Sequence, residues 1–269
     1  MPDIYTRVTE AASPILESLM AALELRAADP QLRAMLTTYL TDAALQQGSR
    51  VLDVGCGTGA VTRIVAKWPG VSVTVGVDPS PVFVAKAREL ARDLPSLTFE
   101  VADGRSLPFA AASFEAVVFH TTLCHVLEPH IMLSEAVRIL RPGGCVAVFE
   151  GDYATATLAT QAGDRLQTCA DAFREHFVHD PWLVRRLLAL VRAAGLQVQS
   201  VRSQGYVEAL APGFMLPSWV DMGADALVVS GRADASVAAE LKAEARRRIA
   251  SGEYFGHIAY FSLVARKAL

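Results

Sequence analysis

The chain has 269 residues, 52% of them hydrophobic, with a formal net charge of −3 and a sequence pI of about 6.1. That suffices for one large core, or one domain with an insertion, and the mild acidity argues against general attraction to nucleic acid or an anionic membrane. Mean hydropathy is +0.30, yet no apolar run approaches the ~20 residues of a membrane span. Asp3, Arg7 and Glu10 precede any apolar stretch, so the N-terminus does not read as a signal peptide. Cys56, Cys124, Cys145 and Cys169 are scattered without a CxxC pair, which suits reduced thiols. A soluble, cytoplasmic protein is expected.

Two helices come first, opened by Ser13-Pro14 and Asp29-Pro30, each a capping side chain before a proline. The second is expected to run to about Gln47 and stop at Gly48. From Arg50 the pattern alternates. Strands are expected at Val51–Val54, Val71–Val77, Leu97–Val101, Ala116–Phe119 and Cys145–Phe149. Helices are expected after Thr58, from Ser80-Pro81, and from about Pro129 to Leu140. This alternation predicts a doubly wound parallel sheet with ligands at the carboxyl ends of its strands. After Glu150 the rhythm breaks. Residues 152–195 read as helical, with an Asp180-Pro181 cap and a stop at Gly195. Two strands, 197–207 and 255–266, then enclose an insertion with large apolar groups and a charged helix from about Asp234 to Ala250.

The most informative stretch is Val51-Leu52-Asp53-Val54-Gly55-Cys56-Gly57-Thr58-Gly59. A strand ends in an acid and three glycines, where the backbone turns sharply and a ligand can lie against it. The next helix offers its unpaired N–H groups. Gly55, Gly57 and Ala60 with Asp78 fit a dinucleotide fingerprint. Asp53, however, places a negative charge where a diphosphate would be repelled and a cationic guest favoured. Ala102-Asp103-Gly104 ends the third strand, and Arg141-Pro142-Gly143-Gly144 turns into the fifth.

As a set these motifs resemble the class I S-adenosylmethionine (SAM)-dependent methyltransferases. VLDVGCGTG corresponds to their glycine loop, GVDPS (76–80) to the ribose acid, ADG (102–104) to the adenine acid and LRPGG (140–144) to the turn before strand five. HTTLCHVLEP (120–129) is similar to the branch holding ubiquinone- and menaquinone-pathway and natural-product methyltransferases. Glu115 stands where that branch commonly has aspartate. The resemblance implies a Rossmann-like α/β fold with a doubly wound, seven-stranded sheet. That sheet would be mostly parallel with an antiparallel C-terminal strand, and would carry N-terminal helices and a helical lid insertion. It implies an N-terminal helical cap over 1–48, a SAM-binding core over 49–151 and a helical segment over 152–195. Residues 196–269 would return to the core, with the lid at about 212–252.

It also implies that Asp53, Gly55, Cys56, Gly57 and Thr58 cradle the methionine end, and that Asp78, Pro79 and Ser80 hold the ribose. Asp103 and Gly104 would take adenine, His120 and Thr121 would lie under the methionine part, and Arg33 or Arg26 would clamp the carboxylate. S-adenosylhomocysteine would be the product. Candidate proton-moving or orienting groups are His120, His125, Asp152, Tyr153, His176 and His179, with Glu150 beside them. Cys169, His176 and His179 share a helical stripe, but three ligands from one helix rarely surround a metal, so no metal is expected. Trp182, Phe214, Met215 and Trp219, with Met222, are candidates for an apolar substrate wall. Arg246-Arg247-Arg248 lies beside Glu240 and Glu244 and reads as a charge-paired face, not a nucleic-acid site. A small, partly apolar metabolite is the expected substrate, with a hydroxyl preferred over an amine or activated carbon. An NAD(P)-dependent oxidoreductase and a SAM-binding protein without methyl transfer remain alternatives. The apolar insertion could instead be a homodimer surface.

Overall fold

The computed structural model describes residues 3, 5, 8–9, 13–209 and 215–269, with Ser13 and Pro14 as backbone only. Two helices, α1 (Ser13–Ala28) and α2 (Pro30–Ala43), precede β1 (Ser49–Val54), α3 (Ala60–Val65), β2 (Val71–Asp78), α4 (Pro81–Leu90) and β3 (Leu97–Val101). Then come β4 (Phe114–His120), α5 (Pro129–Ile139), β5 (Leu140–Thr157), α6 (Gln167–Phe177), α7 (Leu183–Ala193) and β6 (Leu196–Glu208). The chain closes with α8 (Met215–Val229), α9 (Ala235–Ser251) and β7 (Gly256–Lys267). The strands form one seven-stranded sheet of order β3-β2-β1-β4-β5-β7-β6. β7 pairs antiparallel with both β5 and β6, and all other pairs are parallel. β4 and β5 are buried along most of their length, as strands covered by helices on both faces must be. Among the described residues no helix is long and apolar enough to cross a membrane.

The expected strands and helices are present, with shifted ends. α2 stops at Ala43 because Ala44 turns left-handed (φ 49°), earlier than the glycine at 48 suggested. β5 runs on to Thr157, since β7 continues to pair with it through Asp152↔Ala259 and Thr157↔His257. Asp152 and Tyr153 therefore lie within a strand, and the helical stretch expected from 152 begins only at Gln167.

Asp29 caps α2 by accepting from the N–H groups of Gln31 and Leu32, while the Ser13 cap lies outside the described side chains. α2 buries Leu32, Met35, Leu36, Tyr39, Leu40 and Ala43 in the main core. Its other face straps the β6 edge. The Gln31 side-chain amide donates to the Val207 carbonyl (2.7 Å) and accepts from its N–H (3.2 Å). Farther along, Arg202 grips Asp42 with two hydrogen bonds. Within the core, His120 and Tyr260 each stack on Phe149, at 4.7 and 4.8 Å between ring centroids.

The insertion between β6 and β7 is helical, and its apolar side is spent on packing. Trp219 stacks on Phe173 of α6 at 4.3 Å, and α8 touches α6 so closely that a Cβ on Gly223 would lie 2.0 Å from the Cys169 carbonyl oxygen. We expect Gly223→Ala to destabilise the protein by about 1–3 kcal/mol, because backbone cannot yield as a side-chain tip can. That should outweigh the helix propensity gained, and a urea midpoint equal to wild type would show that α6 and α8 can separate freely.

Candidate functional site

A cavity of about 430 Å³ opens at the carboxyl ends of β1, β2 and β4 and is walled on its outer side by α1. Its floor is the glycine loop. Gly55 adopts φ +76°, and a Cβ there would meet Thr122 Cγ2 at 2.3 Å. Gly59 adopts φ +72°, with a Cβ 2.4 Å from the Phe99 ring. The loop is thus pressed between the segment after β4 and the face of β3, which only glycine permits.

Two buried acids support it. Asp78, at the end of β2, accepts from the N–H of Gly57 (3.0 Å) and the N–H of Ser80 (2.9 Å), so one carboxylate fixes both the loop and the start of α4. Burial pushes it up to about 6. Asp53 sits one residue inside β1, opposite Gly76 and Val118. One of its oxygens accepts from the Thr62 hydroxyl (2.6 Å), while the other, Oδ1, has no hydrogen-bond partner among the described residues. Burial, helped by the Asp78 charge, pushes Asp53 up to about 7. Cys56, Gly57, Thr58, Pro79 and Gly104 join these acids in the cavity wall. Ser80 does not line it; its hydroxyl caps α4 at the Phe83 N–H.

Asp103 also lines the cavity, but its carboxylate is held by three hydrogen bonds from the Arg105 side chain, at 2.7–3.1 Å. That pairing keeps it below the usual carboxylate range. Thr121 is left-handed (φ 53°), an unusual conformation for a β-branched residue, and its N–H donates to the Phe149 carbonyl (2.7 Å). The next turn is held by Glu150. This fully buried carboxylate accepts from Thr122 N–H (2.9 Å) and Leu123 N–H (2.6 Å), and burial raises its pKa. Glu150 therefore shapes the loop after β4, and its bonded oxygen faces that backbone.

Both arginines of the N-terminal helices reach the cavity. Arg33 is exposed at its rim. Arg26 lies deeper, among Tyr5, Tyr153 and Tyr260, and among the described residues its Nε has no hydrogen-bond partner. Among the described residues no carboxylate forms an ion pair with it. His120 and His125 both line the wall. Tyr5, Val8, Leu23 and Phe83, which belong to one cluster with α1, line the cavity, as do Arg105 and Met132. None of these six stood out in the sequence. Leu23 and Arg26, one helical turn apart, were the available hint of an inward face.

The other candidates lie elsewhere. Asp152 pairs with Arg185 (3.4 Å), and Tyr153 packs against Trp219 at 5.7 Å in the core. His176 bonds through Nδ1 to the Ala172 carbonyl of its own helix, and His179 offers its backbone N–H to Asp3. Trp182 is half exposed beneath the Arg185 guanidinium. Met215 is buried with its sulfur facing the Tyr260 hydroxyl, Met222 packs at the core margin, and Phe214 falls outside the described residues. None of the described members of this group lines the cavity. The reason is that α6 and α8 pack on each other and into the main core beside the antiparallel end of the sheet.

The two floor acids carry a pH dependence. Both protonate more readily folded than unfolded, so their stabilising contribution is complete below about pH 4 and lost as the pH rises toward about 7. For Asp53 the loss is on the order of 4 kcal/mol. We expect the ligand-free melting temperature to fall between about pH 4 and pH 7, and Asp53→Asn to flatten that fall. Parallel wild-type and Asp53→Asn profiles would show that Asp53 is ionised throughout.

Residues 52–148 match the family model described as a methyltransferase domain. Over 202 residues the chain is 29% identical to an uncharacterized 37.1 kDa protein in transposon Tn4556 of Streptomyces fradiae, covering 75% of this chain and 58% of that protein. Over 103 residues it is 41% identical to the demethylmenaquinone methyltransferase of Tropheryma whipplei (strain Twist), covering 38% and 42%. The chain thus spans about half the length of these curated relatives. A putative methyltransferase from Bacillus halodurans C-125 shares the fold with a TM-score of 0.63 at 20% identity, covering 87% of this chain and 99% of that one.

Proposed function

We propose that this chain, whose residues 52–148 match the methyltransferase-domain family model, transfers a methyl group from SAM to a hydroxyl of a small, partly apolar metabolite. The observation that carries the reading is the Asp53 carboxyl, buried beside the glycine loop in a residue that lines the cavity, with Oδ1 unpartnered among the described residues. A buried acid of this kind favours a guest that brings positive charge, as the ammonium and sulfonium of SAM do, and disfavours a diphosphate.

In this reading Gly55, Cys56, Gly57 and Thr58 lie against the cofactor backbone. Asp78, already oriented by two N–H groups, uses its remaining lone pairs for the ribose hydroxyls. Gly104 and Asp103 flank adenine, and since Arg105 holds Asp103, the exocyclic amine shares that carboxylate with a guanidinium. Arg26, half-buried and without a carboxylate partner among the described residues, takes the carboxylate of the methionine part in preference to Arg33 at the rim. Thr121 and His120 form the wall beside the methyl group.

The bound cofactor supplies an electrophilic methyl carbon. The protein's task is then to align the acceptor with it and to exclude water. Leu23, Leu36, Val126, Leu127 and Met132 give the cavity an apolar margin, which fits an acceptor with substantial apolar surface.

Calorimetric titration tests this directly. SAM and S-adenosylhomocysteine should bind, and NADH should not. Asp78→Asn should weaken S-adenosylhomocysteine by about 10- to 100-fold, the worth of hydrogen bonds to a charged group. Uptake of NADH, or no uptake of either adenosyl compound, would overturn the assignment. Incubation with methyl-labelled SAM and a metabolite extract then identifies the acceptor, and label in no product would refute methyl transfer.

A further inference from the structure

Of the two cavity histidines, His120 is held as a neutral ring. It stacks on Phe149, its Nδ1 lies 3.0 Å from the Tyr39 hydroxyl, and burial, with the nearby Arg26 charge, lowers its pKa to about 3. A ring so weakly basic is a poor proton acceptor near neutrality. His125 has different surroundings. Its Nδ1 lies 2.5 Å from Asp3 Oδ2, with side-chain exposures of 11% for His125 and 1% for Asp3. The Asp3 carboxylate also accepts from the N–H of Tyr5 and the N–H of His179, each at 2.9 Å. The Tyr5 ring packs on the imidazole at 4.6 Å between centroids. A carboxylate offers only acceptors, so it fixes the imidazole proton on Nδ1 and leaves the Nε2 lone pair free. The ring itself lines the cavity.

Building on the methyl-transfer reading, we propose that Asp3 and His125 form a carboxylate–imidazole pair that receives the proton of the acceptor hydroxyl. The acceptor oxygen forms its bond to the methyl carbon as the carbon–sulfur bond breaks and its electron pair passes to sulfur. The hydroxyl proton moves to His125 Nε2. The products are the methyl ether, S-adenosylhomocysteine and an imidazolium whose charge lies beside Asp3. Asp3 is a positioning residue, contributed from far along the chain, and the pair restricts the acceptor to a group that must lose a proton.

The test needs no knowledge of the acceptor. Nitrogen-15 histidine spectra at alkaline pH, assigned with His125→Gln, should show His125 with its proton on Nδ1, and Asp3→Leu should move the balance to Nε2–H. Carbethoxylation by diethylpyrocarbonate, read by peptide mass spectrometry with exposed His130 as internal reference, should slow at His125 by at least about five-fold in Asp3→Asn, which retains the side-chain volume. S-adenosylhomocysteine affinity should stay within about two-fold of wild type, because neither residue belongs to the proposed cofactor cradle. A wild-type His125 protonated on Nε2, or unchanged reactivity in Asp3→Asn, would overturn the pairing. Failure of wild type to bind S-adenosylhomocysteine would instead overturn the methyl-transfer reading and leave the pairing result standing.

Discussion

The site depends on a single carboxylate placed where three elements meet. Asp78 ends one strand, yet its oxygens are occupied by N–H groups from the glycine loop of the neighbouring strand and from the start of the following helix. A buried acid is costly when ionised unless donors surround it. Here two backbone dipoles do part of that work and in return are fixed in space. With the loop held, Thr122 and Phe99 can close on its glycines, and the floor of the cavity becomes a rigid surface.

Asp53 complements this arrangement by being incompletely satisfied. Thr62 reaches one oxygen, and the other has no partner among the described residues. The contrast between the two acids separates a structural from a receptive role. One carboxylate organises backbone; the other, in the proposed reading, keeps capacity for a positively charged guest, at a cost to the unliganded protein. Stability and readiness to bind are set against each other at one side chain.

Much of this floor was legible in the sequence, because the information is local. Glycines at Gly55, Gly57 and Gly59 between a strand and a helix, with Asp78 at the end of the next strand, specify turn, spacing and charge within about thirty residues. What could not be read is the wall. Leu23 and Arg26 reach the cavity because α1 docks across the loop, and no periodicity reveals which helix face will turn inward. Arg105 occupies Asp103 from two residues away, a local contact that the acid's expected role obscured. The apolar groups of the insertion misled for a related reason. Trp219 and Met215 looked available to a ligand because the sequence does not show that α6 and α8 pair with each other. Asp152 and Tyr153 looked like loop residues because the length of β5 is dictated by its distant partner β7.

The strap between α2 and β6 has a consequence beyond this cavity. β6 is the outermost strand at its side of the sheet, with one row of peptide groups facing away from β7. At Val207 the carboxamide of Gln31 occupies both of those groups, much as another strand's peptide would. The margin is therefore blunted from within the molecule, against strand-to-strand recruitment by a second copy. A continuous intermolecular sheet through that point of β6 would first have to displace the Gln31 side chain.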